Sequence, residues 1–177
     1  MSAFSIEEIL KATDGIIIKE GNKKICTSVS IDSRKIEPNS LFIAIKGEFF
    51  DGHDFTKKAV EQGAVAVLVS NEKVIVNDDT TIILVKTNTL DALQKLARYH
   101  RLRFNIPVVS ITGSNGKTTT KDIVASLLKE KFNVLKTIDN QNNEIGLPLT
   151  LLNINEEHDI VVVEFGMRGK GQIQELA

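Results

Sequence analysis

The sequence predicts an α/β fold in two parts: a small α/β unit over residues 1–86, then the first part of a doubly wound, parallel-sheet domain over 87–177. Three observations predict it. Short apolar runs of strand type alternate with helical periodicities, a glycine-rich turn joins one such run to a helix, and residues 159–165 are apolar almost throughout.

Taken in order, Ser5 followed by Glu8 is a capping-box pattern, and Ile6, Ile9 and Leu10 continue it with helical spacing, which predicts a short first helix. Residues 28–32 and 41–45 read as strands separated by the turn signal Pro38-Asn39-Ser40. A helical stretch over 54–62 leads through Gly63 into a buried strand at 64–69, and another apolar run follows at 82–85. Leu90, Leu93, Leu96 and Ala97 mark a helix whose polar face carries Lys95, Arg98 and Arg101, ending before Pro107. The same polar face is expected to hold His100. A strand at 107–112 precedes the glycine turn, and the helix over 117–129 is expected to turn Ile123, Val124, Leu127 and Leu128 inward. After the strand at 159–165, residues 172–177 read as the start of another helix, so the sheet is expected to belong to a longer protein.

Composition narrows the function. With 177 residues, 42% of them hydrophobic, the chain can bury one sizeable core or two small ones, and is short for a complete multi-substrate enzyme. Balanced charge, 22 Lys and Arg against 23 Asp and Glu, argues against nucleic acid or an anionic membrane surface as partner. The single cysteine, Cys26, excludes an intrachain disulfide and a thiolate zinc cluster, which fits a reducing compartment. The acidic amino terminus lacks the pattern of a secretory signal and no apolar run approaches bilayer length, so a cytoplasmic protein without membrane insertion is expected. His53, His100 and His158 show no metal-ligand spacing, and only His53, in the Asp51-Gly52-His53 turn, stands out.

Gly113-Ser114-Asn115-Gly116-Lys117-Thr118-Thr119 lies between a predicted strand and a predicted helix, the context a phosphate-binding loop requires. Glycines let backbone amides turn toward an anion, and the helix terminus adds unpaired N–H groups and the positive end of its dipole. Lys117 reaches the outer phosphates as a point charge, and the Thr118 hydroxyl is placed to join the shell of Mg2+. The loop is compact, since position 111 holds Ile where the commoner spacing has its first glycine. Glu164 closes an apolar strand and is a second candidate for Mg2+; its other reading is a solvated acid at the sheet edge.

These segments resemble the Mur ligase family. The resemblance runs through 111–121, through Asn142-Asn143-Glu144-Ile145-Gly146-Leu147-Pro148, through Val163-Glu164-Phe165-Gly166-Met167, and upstream through Asp32-Ser33-Arg34 and residues 47–53. It implies a small uridine-nucleotide-binding domain ahead of a P-loop ATPase domain. The implied activity is ATP-dependent amide-bond formation through an acyl phosphate, in peptidoglycan precursor synthesis, with Mg2+ as cofactor. The branch resembled most joins D-alanyl-D-alanine to UDP-N-acetylmuramoyl-tripeptide and implies a monomer at full length. By the same resemblance Lys117 steadies the β- and γ-phosphates and Thr118 with Glu164 holds Mg2+. Asn142 and Asn143 line the cleft, while Ser33, Arg34, Glu48, Phe49 and Phe50 contact the uridine end. Plainer roles stand beside these: Ser33 as a turn hydroxyl, Asn142 and Asn143 as caps, Phe49 and Phe50 as core. The resemblance also implies that turnover needs a carbamylated lysine, an adenine pocket and a carboxyl-terminal domain that residues 1–177 do not supply. The competing functions are the related ligase that adds diaminopimelate or lysine, a non-catalytic nucleotide-binding module, and a kinase-like P-loop protein. The last would carry its lid after the loop, whereas the extra unit here precedes it.

Overall fold

The structure, a computed structural model, describes residues 3–76, 79–138, 141–166 and 173. The chain divides into two compact units, Met1–Leu96 and Ala97–Ala177, with the division inside one helix. The predicted α/β class is what both units show.

In the first unit, β1 (Phe4–Ser5) runs into α1 (Ile6–Thr13). The Ser5 hydroxyl accepts from the Glu8 amide at 3.1 Å and the Ser5 amide donates to the Glu8 carboxylate at 2.8 Å, the reciprocal cap expected from sequence. Next come β2 (Ile16–Lys19), β3 (Ile25–Cys26), β4 (Ser28–Ser30) and β5 (Ser40–Ile43). The stretch read as one helix over 54–62 is in fact a 3-10 turn, Gly52–Phe55, followed by α2 (Thr56–Glu61). The Asp51 side chain nucleates that turn by accepting the His53 amide. Strands β6 (Ala64–Val69) and β7 (Thr81–Leu84) complete a sheet ordered β2-β7-β6-β5-β4, parallel except for β2 at one edge. Every residue of β5 and β7 is buried, as crossover connections require of a sheet covered on both faces. Phe42, Ala59, Val67, Val69 and Leu84 form the centre of the core.

The helix α3 (Thr89–Arg101) leads into the second unit. There β8 (Val108–Ile111), α4 (Lys117–Lys129), β9 (Val134–Lys136), α5 (Gly146–Leu151) and β10 (Ile160–Glu164) follow. The three strands are parallel in the order β8-β10-β9. Alternation along β10 divides its residues between two cores. Val161 and Val163 pack with Leu147 and Ile154, whereas Ile160 and Val162 pack with Ala125 and Val134. Glu164 shares the parity of Ile160 and Val162, which turns it to the side covered by α4.

Two expectations about helix faces are corrected. On α4 the buried residues are Lys121 and Ala125, with Val124 and Leu128 half-buried; Ile123 and Leu127 are 55% and 69% exposed. The face is set by Thr118, Lys121, Ala125 and Leu128, which recur at helical spacing, and small Ala125 lets the helix approach the sheet. His100 is fully buried rather than on the polar side. Its position three residues after Ala97 and four after Leu96 places it on the apolar stripe, where its Nε2 meets the Ile154 carbonyl at 2.9 Å and its ring stands edge-on to Phe104.

Cys26 pairs with Phe4 across β1 and β3 and is wholly buried, and burial pushes its thiol up to about 12. The native chain is therefore expected to resist alkylation at neutral pH and to react promptly once denatured, as mass spectrometry would report. Fast labelling under native conditions would contradict this packing.

Candidate functional site

The turn between β8 and α4 has the backbone an anion cradle needs. Gly116 sits at the helix N-cap with φ 75° and Gly113 has φ 151°, both in a region that favours glycine. A Cβ on Gly116 would meet nothing within 4 Å, so glycine is required there by its dihedral and not by crowding. Ser114 and Asn115 are exposed, as are Thr118 and Thr119, while Lys117 is half-buried and its Nζ donates to the Gly113 carbonyl at 2.9 Å. That bond holds the ammonium over the loop.

Glu164 lies directly across from the first turn of α4 and is 1% exposed. Its Oε2 accepts from the Thr118 hydroxyl at 2.9 Å and its Oε1 from the Asn142 amide at 2.8 Å, while its own backbone amide donates to the Thr137 hydroxyl at 3.2 Å. The solvated-acid reading is thereby excluded. Among the described residues no lysine or arginine pairs with this carboxyl group, whose two oxygens are held by neutral donors. A carboxyl and a hydroxyl oxygen side by side at the mouth of the glycine loop suit a hard divalent cation that takes its other ligands from phosphate and water. No cluster of three or more His, Cys, Asp or Glu side chains suited to a metal occurs among the described residues.

Asn142 and Asn143 have different tasks. Asn142 supports Glu164, whereas Asn143 accepts the Ile145 and Gly146 amides at 3.2 and 2.8 Å and so starts α5. A Cβ on Gly146 would lie 2.4 Å from the Gln141 Cα, which makes this turn intolerant of any larger residue. Sequence reasoning missed Thr137 and the buried Lys121, whose ammonium lies 3.6 Å from Asp122. The periodicity of α4 was the signal for Lys121; Thr137, one residue past the three-residue strand β9, had none. The glycine-rich run at 167–171 lies outside the described residues.

In the first unit, a cavity of about 450 Å3 is lined by Asp32, Ser33, Arg34, Phe50, Phe55 and Lys58, among others. Ser33 is buried there. Arg34 is turned onto Asp32, with Nε and a terminal nitrogen 2.9 and 2.8 Å from its two carboxylate oxygens. Phe50 and Phe49 are 74% and 83% exposed and so are not core; Phe50 lines the cavity, whereas Glu48 and Phe49 are not part of the lining. Lys58, which the sequence reading passed over, brings a cation to the same wall.

Comparison with known proteins bears on both units. The Mur ligase middle domain family matches residues 111–177, and the Mur ligase family catalytic domain matches 26–101. This chain belongs to the Mur ligase family. Among curated relatives, the UDP-N-acetylmuramoyl-tripeptide--D-alanyl-D-alanine ligase of Bacillus subtilis is 42% identical over 173 residues, covering 98% of this chain and 37% of that protein. The enzyme of the same name from Synechocystis is 45% identical over 153 residues, or 86% of this chain and 33% of its own length. Of the solved structures, MurF from Acinetobacter baumannii superimposes with a TM-score of 0.91 at 31% identity, over 99% of this chain and 38% of that one. Thermotoga maritima MurF, solved in complex with ADP, gives 0.74 at 40% identity, over 85% of this chain and 35% of that one. The chain thus spans little more than a third of the length of these relatives.

Within this Mur ligase chain, hydrogen bonds from Arg34 hold the Asp32 carboxyl at about 2, below its ordinary 3.8. Because the folded value is the lower one, the pair contributes stability above pH 4 or so and loses it only as pH falls toward 2. The contribution is small, since Arg34 is largely exposed. An NMR titration should find the Asp32 midpoint near 2, returning to the ordinary carboxylate range in Arg34→Ala. An unchanged midpoint in that variant would dissolve the pairing.

Proposed function

We propose that the chain supplies the uridine-nucleotide site and the phosphate loop of an ATP- and Mg2+-dependent ligase that joins D-alanyl-D-alanine to UDP-N-acetylmuramoyl-tripeptide in peptidoglycan precursor synthesis. The observation that carries this reading is the hydrogen-bonded set Thr118, Glu164 and Asn142 at the mouth of the Gly113–Lys117 loop. A glycine loop alone serves many nucleotide-binding proteins; a buried carboxyl group aligned with its helix hydroxyl suits transfer of a phosphoryl group. The names carried by the relatives supply the substrate class.

In the proposed reaction the γ-phosphoryl group of ATP passes to the terminal carboxylate of the tripeptide and ADP departs. The amine of D-alanyl-D-alanine then attacks the acyl carbon, expelling phosphate and losing a proton. Loop amides and the amino end of α4 receive phosphate oxygens, and Lys117 adds a positive charge to the outer phosphates. Thr118 and Glu164 would hold Mg2+, which supplies charge neutralisation on the phosphates when bound. Asn142 keeps Glu164 in the orientation this requires. Use of ATP as co-substrate supports a cytoplasmic reaction.

Calorimetry with Mg-ATP tests the reading. The chain is expected to bind, and Lys117→Ala to bind roughly 10- to 100-fold more weakly, the range of a charge-assisted contact. Glu164→Gln should weaken binding in Mg2+ while changing little in its absence. Equal ATP affinity in wild type and Lys117→Ala would remove the phosphate loop from the site.

A further inference from the structure

The turn that carries Phe50 to the cavity is fastened by a histidine outside the cavity lining. His53 lies within the 3-10 turn Gly52–Phe55, and its side chain is 8% exposed. On one side its Nδ1 is 2.5 Å from Asp51 Oδ1, which also accepts the His53 backbone amide at 3.0 Å. On the other, its Nε2 is 3.0 Å from the backbone nitrogen of Ser70, at the end of β6. An amide can only donate, so Nε2 accepts and the Nδ1 proton belongs to the contact with the carboxylate.

The Ser70 amide needs this acceptor for a reason written into the sheet. Ala44 donates to the Leu68 carbonyl, and a continued parallel ladder would return the Ser70 amide to the Ala44 carbonyl. That carbonyl instead accepts the Thr89 hydroxyl at 2.7 Å. The ladder ends, and the imidazole takes the leftover donor. The same turn is fixed against the end of β5: the Gly52 amide donates to the Ile45 carbonyl at 2.9 Å, and a Cβ on Gly52 would lie 2.6 Å from that oxygen. Gly47, Phe50, Gly52 and Phe55, which surround His53 in sequence, all line the cavity of about 450 Å3.

We propose that His53 is a positioning residue for the nucleotide site: held by Asp51 as the Nδ1–H tautomer, its Nε2 takes the Ser70 amide hydrogen and thereby locks the 46–55 turn, with Phe50 and Phe55, against the end of β6. This rests on the reading of the cavity as the uridine-nucleotide site. His53 touches no ligand in this role; it sets where the aromatic wall stands before the ligand arrives, and so lowers the ordering needed on binding.

Three measurements on the chain decide it. In His53→Asn the amide nitrogen replaces Nδ1 and keeps Asp51 but falls short of Ser70; in His53→Gln the terminal oxygen reaches the Nε2 position. UDP affinity by calorimetry should fall about tenfold in His53→Asn and recover at least partly in His53→Gln, with similar thermal midpoints. Equal UDP affinity in all three proteins overturns the proposal, as does loss that follows the thermal midpoint instead of the Ser70 contact. Nitrogen NMR of the wild-type imidazole needs no variant to fold: a protonated Nδ1 coupled to a bare, accepting Nε2 is expected, and the opposite tautomer refutes the lock. If wild type binds no UDP, the nucleotide reading of the cavity fails, while the NMR result still judges the His53 contacts separately.

Discussion

A carboxyl group that is 1% exposed at the end of a strand constrains the second unit more than any other feature. A polar group removed from water must be met by hydrogen-bond partners, and three elements meet Glu164, two at its carboxyl oxygens and one at its backbone amide. Thr118 comes from the first turn of α4, Asn142 from the turn before α5, and Thr137 from the segment after β9. Each partner fixes the rotation or height of its own element. The register of β10 against β8, in which Glu164 lies opposite Ile111, brings the acid level with the start of the glycine loop.

Much of this could be read from the sequence because local signals agree with the fold. Ser5 and Glu8 cap a helix on their own, without tertiary help, and the glycines of the loop mark dihedrals that other residues avoid. The apolar run at 160–163 has the pattern expected of a strand covered on both sides, and β10 is one. What escaped were features decided by the rest of the chain. Ile123 and Leu127 have helical spacing with each other, yet the requirement that Thr118 face Glu164 turns them outward. His100 is polar by composition and apolar by position, and position prevailed because the Ile154 carbonyl stood ready to pair with it. Short elements such as β2, β9 and α5 lack the length for any periodicity to register.

The first unit shows how the same residue types divide between structure and recognition. Arg34 looks like a cation for an anionic ligand, but its Nε and one terminal nitrogen are already engaged by Asp32, whereas Lys58, which lines the same cavity, has no described side-chain partner. The adjacent phenylalanines diverge as well, since only Phe50 turns to the cavity. Neighbours in sequence separate here because an extended or turning backbone points successive side chains to opposite sides. A motif therefore delimits a region well and its individual roles poorly.

The odd and even residues of β10 serve separate cores, and Glu164 ends the even series. Shifting the strand by one position would exchange the two series, sending the acid into the company of Leu147 and Ile154 and a valine toward Thr118. A misthreaded strand is thus penalised twice, once as a mispacked interior and once as an orphaned carboxyl group. A single-residue insertion in this stretch would upset both at once, because arithmetic modulo two ties the packing of the domain to the position of its acid.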